Sequence, residues 1–136
     1  MIYGKYDPRF PGTCNCMVKV KRIYEQASPD DGRRILVDRL WPRGIKKDKA
    51  DIDEWVKEIA PSNELRKWFS HEPSRWQEFK SKYKDELKGK TELVEKLRAG
   101  KGTTTLLFSA RDAEHNNAVA LKEILEGKHN PRRGER

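Results

Sequence analysis

Two short stretches crowd arginine, aspartate and histidine against the ends of apolar runs. Residues 34–44 read Arg-Ile-Leu-Val-Asp-Arg-Leu-Trp-Pro-Arg-Gly, and residues 106–117 read Leu-Leu-Phe-Ser-Ala-Arg-Asp-Ala-Glu-His-Asn-Asn. Guanidinium groups are planar forks that grip carboxylate or phosphate through two parallel hydrogen bonds. Arg39, Arg43 and Arg111 are therefore candidates for holding an anion, with Asp112 and Asn116 beside them and Trp41 as a pocket wall. Asp38 and His115, together with His71, are the candidates for moving protons, since imidazole titrates near neutral pH. Each also has a plain structural alternative. Asp38 could pair with an arginine, Asp112 and His71 could cap helices, and His115 could hydrogen-bond across a sheet edge.

The two stretches work together only if the fold brings them to one place. Residues 17–23 alternate and predict a strand, residues 34–38 a short buried strand, and residues 103–109 a third. Ile52, Trp55, Val56 and Ile59 recur at i, i+3, i+4 and i+7, which predicts an amphipathic helix ended by Pro61. Ser62 is placed to cap a short helix carrying Leu65, Trp68 and Phe69. Trp76, Phe79, Tyr83 and Leu87 predict a third helix starting near Pro73 or Ser74, and Leu93, Val94 and Leu97 a fourth, stopped by Gly100 and Gly102. Asp112 is the expected N-cap of a last helix with Ala118, Leu121 and Leu125 facing inward. That puts His115 in the first turn, where the helix dipole disfavours a charged imidazole. The expectation is a single α/β domain over 17–127, with an at least partly parallel sheet of three or more strands flanked by about five helices. An irregular leader, 1–16, precedes it, and a basic, disordered tail, 128–136, follows. Ligands of open α/β sheets bind outside the carboxyl ends of the strands, where both stretches begin.

Composition narrows the partners. The 136 residues include 30 Lys and Arg against 22 Asp and Glu, a formal charge of +8. Residues 1–23 carry Lys5, Arg9, Lys19, Lys21 and Arg22 against Asp7, and residues 128–136 carry Lys128, Arg132, Arg133 and Arg136 against Glu135. The body between them is nearly neutral, so a nucleic-acid role would rest on the termini; it is not favoured, because such a footprint is a clustered basic face. No apolar run approaches the roughly 20 residues of a membrane helix, and the N-terminus lacks a secretion signal. The expectation is a cytoplasmic protein without a membrane partner. Cys14 and Cys16 form a Cys-x-Cys pair with no second pair or tight histidine pair to complete a metal site, so no metal is expected. Walker, Rossmann and nucleophile-elbow patterns are absent, and no cofactor is expected.

Three stretches together carry a resemblance. Ile35-Leu-Val-Asp-Arg-Leu-Trp-Pro-Arg-Gly44, Ala60-Pro-Ser-Asn-Glu-Leu-Arg-Lys-Trp-Phe-Ser-His71 and Leu106-Leu-Phe-Ser-Ala-Arg-Asp-Ala-Glu-His-Asn-Asn-Ala118 closely resemble the YeaO-like branch of the domain-of-unknown-function family 488. The resemblance runs from about Val18 to Leu125 and implies a small α/β protein, with no established reaction. The wider family typically carries a Cys-His-Arg triplet near the position of His115-Asn116-Asn117. This chain has neither that cysteine nor that arginine, so thiol chemistry does not carry over. The residues themselves favour an Arg-lined pocket for a small phosphate- or carboxylate-bearing ligand, with Asp/His acid–base chemistry as an addition. The alternatives are a non-catalytic interaction module and, behind it, a nucleic-acid binder.

Overall fold

Alternation in the first strand sends Val18 and Val20 to one side and Lys19 and Lys21 to the other, so one face of the sheet is apolar and the other mixed. The computed structural model describes residues 16–127. Residues 1–15 of the expected leader, the Cys14 and Cys16 thiols and the tail 128–136 lie outside the described residues, and the chain at residue 16 belongs to the first strand rather than to a leader. Strands β1 (Cys16–Arg22), β2 (Arg33–Leu36), β3 (Glu54–Trp55) and β4 (Gly102–Phe108) form one wholly parallel sheet in the order β1-β4-β2-β3. Arg22 lies opposite Phe108, and Leu36 opposite Leu107. Three strands therefore end level, and whatever follows them shares one edge.

Four α-helices occur among the described residues: α1 (Asn63–Phe69), α2 (Trp76–Leu87), α3 (Thr91–Arg98) and α4 (Asn117–Leu125). Only the last three reach eight residues, fewer than the expected five. α4 packs on β1 and β4, and α2 and α3 pack against α4. Ile35, Val37, Leu106, Phe108, Leu121 and Tyr83 lie in the resulting core, where burial of each large apolar side chain contributes about 1.5–3 kcal/mol. Among the described residues, no α-helix contributes to the core on the opposite face. Trp41, Ile45, Ile52 and Trp55 cover Ile23, Leu36 and Leu107 there, and the two indoles meet edge-to-face at 5.2 Å.

The missing helix is the one expected from Ile52, Trp55, Val56 and Ile59. Residues 54–55 instead extend the sheet as β3, and a 3-10 turn at Lys57–Ile59 follows. The amide of Asp53 donates to the Arg34 carbonyl (2.8 Å) and that of Val56 to the Leu36 carbonyl (2.9 Å). Ile52 and Trp55 then face one core, Val56 and Ile59 the other. A pattern of period 3.6 and a short strand between two cores place the same four residues inside, and pairing with the free edge of β2 decides between them.

The link between β1 and β2 passes over β4. Ser28 caps a 3-10 turn, Pro29–Asp31, in a reciprocal capping box. The buried Asp31 carboxylate accepts from Arg34 Nη1 (2.5 Å), Lys21 Nζ (3.1 Å) and the Ser28 amide (3.0 Å). Gly32 follows with φ +62°, and a Cβ there would stand 2.1 Å from the Thr103 carbonyl oxygen. Only glycine lets the chain cross β4 so closely.

Candidate functional site

Residues 38–43, 60–71 and 109–117 meet beyond the carboxyl ends of the strands. With Tyr24 and Phe79 they enclose a cavity of about 360 Å³, near the lower end of the range for small-molecule sites.

Asp38 fastens this edge together. Its Oδ2 accepts from the Ser109 amide (2.9 Å) and from Ser109 Oγ (2.7 Å). Its Oδ1 accepts from Asn117 Nδ2 (3.1 Å), which also donates to the Val37 carbonyl (3.1 Å). The Trp55 indole donates to the Asp38 carbonyl (2.7 Å). One carboxylate thus ties the chain leaving β2 to the end of β4 and the start of α4, and no arginine pairs with it among the described residues.

Arg39 spans to the entrance of α1, where Nε donates to the Pro61 carbonyl (3.3 Å) and Nη2 to the Ala60 carbonyl (3.1 Å). Its remaining donors are left for the cavity it lines. Arg43 is exposed on the rim, and its guanidinium makes no hydrogen bond or ion pair among the described residues; the Tyr24 hydroxyl donates to its carbonyl (2.8 Å). Arg66 comes from α1, with Nη2 donating to Asn63 Oδ1 (3.0 Å). That helix is set by Ser62, whose Oγ accepts from the Leu65 amide (3.1 Å) while Glu86 accepts from the Ser62 amide (2.9 Å) and hydroxyl (2.5 Å). Among the described residues, the lining carries three guanidiniums against one carboxylate.

His71 lines the cavity just past α1 and is exposed. The cap is Ser70, whose amide donates to the Arg66 carbonyl (3.0 Å). Both residues are left-handed, with φ of 47° and 57°, and this double turn ends the helix. His115 also lines the cavity, its ring edge-on to Trp76 at 5.3 Å.

Three expectations need correction. Asp112 does not cap the last helix. Its Oδ1 accepts from the Glu114 (2.9 Å) and His115 (3.1 Å) amides, closing a turn at the strand exit. Asn116 caps α4 instead: its backbone is extended, Oδ1 accepts from the Val119 amide (3.0 Å), and Nδ2 donates to the Asp112 carbonyl (2.9 Å). His115 consequently precedes the helix. Its Nδ1 lies 2.9 Å from Asp112 Oδ2, and hydrogen bonds from the Glu114 amide and then the His115 ring hold the Asp112 carboxyl below its ordinary range. Arg111 is the third correction. Ser109 and Ala110 line the cavity, whereas Arg111 is exposed and outside the lining.

Of the expected residues, the structure gathers Asp38, Arg39, Trp41, Arg43, His71, His115 and Asn116, and leaves out Arg111 and Asp112. It adds Arg66, Tyr24, Ser109 and Asn117. Arg66 had a signal in the sequence, since it sits in one of the three characteristic stretches; Tyr24 had none. No group of three His, Cys, Asp or Glu side chains able to hold a metal ion occurs among the described residues. Nor is any helix there long and apolar enough to cross a membrane.

A family described as the inactive DUF488-N3 subclade matches residues 17–136. The chain belongs to domain-of-unknown-function family 488. Within that family it is similar to the uncharacterized protein YeaO of Escherichia coli, 46% identical over 110 residues that cover 79% of this chain and 96% of the relative. Uncharacterized proteins of Mycobacterium tuberculosis and Mycobacterium bovis are 42% identical over 112 residues, 82% of this chain and 95% of theirs. No solved structure matches. The cavity of this family member is built from the three stretches that the resemblance singled out, with Tyr24 and Phe79 added.

Proposed function

We propose that the protein holds a small phosphate- or carboxylate-bearing ligand in this cavity without transforming it. The observation that carries the reading is the charge of the lining: Arg39, Arg43 and Arg66 face a hollow whose one carboxylate, Asp38, is already taken up by three donors. Guanidiniums with unused N–H groups favour a bound anion. Three features speak against turnover. Three of the four acceptor positions of the Asp38 carboxylate are taken by Ser109 and Asn117, which commits it to fastening the chain. The Ser109 hydroxyl gives its proton to Asp38 rather than to an imidazole, unlike an activated nucleophile. The family description calls this subclade inactive.

Calorimetric titration with inorganic phosphate and acetate tests the reading, alongside thermal melts in which stabilisation grows with ligand concentration. Arg43→Ala and Arg66→Ala are each expected to weaken the preferred anion about tenfold, while Arg111→Ala leaves it unchanged. Absence of binding at millimolar anion, or equal weakening by Arg111→Ala, refutes it.

A further inference from the structure

Building on that reading of the cavity, we infer that its ligand joins a flat aromatic ring to the anionic group. Space is the first argument. A cavity of about 360 Å³ corresponds to roughly a dozen water volumes, several times what a lone phosphate or carboxylate fills. The character of the walls is the second. Six ring side chains line it: Phe69 and Phe79 are buried in the core, while Tyr24, Trp41, His71 and His115 keep surface in reach of a guest, and accessible rings and guanidinium planes both favour stacking on a planar guest. The third is what the protein leaves in water. Three large apolar side chains are exposed among the described residues, and two of them, Leu40 (64%) and Tyr24 (42%), stand at this cavity. A bare inorganic anion on the arginines leaves both uncovered; a ring seated beside it removes their surfaces from solvent. Tyr24 is fixed for that contact, with its hydroxyl on the Arg43 carbonyl (2.8 Å) and the Arg22 guanidinium over its ring at 4.8 Å. His115 is likewise held, by Asp112 through Nδ1 and by the Trp76 edge, so Nε2 remains for the guest.

Matched pairs of probes test this on the full chain: inorganic phosphate against phenyl phosphate and adenosine monophosphate, and acetate against benzoate and cyclohexanecarboxylate. The expected result is that the aromatic member binds at least tenfold tighter than the bare anion, with cyclohexanecarboxylate well behind benzoate. Leu40→Ser should shrink the aromatic advantage, weakening phenyl phosphate several-fold more than inorganic phosphate. Preference for phenyl phosphate or the nucleotide identifies a phosphate as the anionic group and preference for benzoate a carboxylate; either outcome supports the inference. If phosphate or acetate binds and its aromatic partner is no tighter, or if cyclohexanecarboxylate equals benzoate, the inference falls while the anion reading stands. If neither bare nor aromatic anions bind, both fall.

Discussion

Replacing Asp38 by asparagine preserves shape and removes one charge, which separates a fastening role from a chemical one. In the native site Oδ2 takes two donors from Ser109 and Oδ1 takes one from Asn117. An asparagine oxygen can keep the Ser109 pair, but its NH2 then opposes the Asn117 NH2. Rotating the Asn117 amide to relieve that contact gives up its bond to the Val37 carbonyl. One hydrogen bond is lost, and two change from charge-assisted to neutral, at roughly 1 kcal/mol each. Asp38 is only part-buried, so water recovers some of the total, and about 2 kcal/mol remains. Asp38→Ala, which strands all three donors, should cost about 3 kcal/mol. Urea unfolding at constant m-value measures both. Because a negative charge has left the lining, phosphate should bind the folded asparagine variant as tightly as wild type or more so. An Asp38→Asn protein of native stability, or one that folds normally yet no longer binds the anion, refutes the fastening role.

Asp31 makes a second test at the far end of the sheet. Burial alone would raise its carboxyl, but the Ser28 amide, Lys21 and Arg34 outweigh that and hold it below the ordinary range. A depressed carboxyl gives stability that is complete above the unfolded value near 3.9 and is lost as pH falls through the folded one. Wild type should therefore lose stability steeply below about pH 4, and Asp31→Asn should start about 3 kcal/mol lower at pH 7 and fall less over that window, as read by acid titration of circular dichroism. Gly32→Ala combines a strained φ with a backbone clash and should lose at least about 2 kcal/mol, measured by thermal melting against a Gly89→Ala control where a Cβ meets nothing.

Much of the fold was legible because its signals are local. The alternation of residues 17–23, the Ser62 cap and the helical spacing of Trp76, Phe79, Tyr83 and Leu87 each reflect one element burying one face, and each element stands within a residue or two of its expected place. Failure came where two arrangements bury the same residues. Ile52 to Ile59 fit a helix stripe and an edge strand equally well, and only pairing with β2, nearly twenty residues earlier, selects the strand. At the site, the two strand-end stretches did come together, since parallel strands that end level leave no other arrangement. The choice of guanidiniums was harder. Arg111 and Arg66 carry the same side chain, and which one lines the hollow is set by how the fold places the β4 exit and α1 around it, which no local pattern announces. Asp112 and Asn116 compete as caps for the same helix start; the extended backbone of Asn116 settles it.

Arginine side-chain NMR during a phosphate titration reports the site without altering it. The Nε–Hε signals of Arg39, Arg43 and Arg66 should shift along a single saturating curve while that of Arg111 stays in place. Uniform small shifts across all arginines, Arg111 included, would show only general ionic contact and would contradict the proposed site.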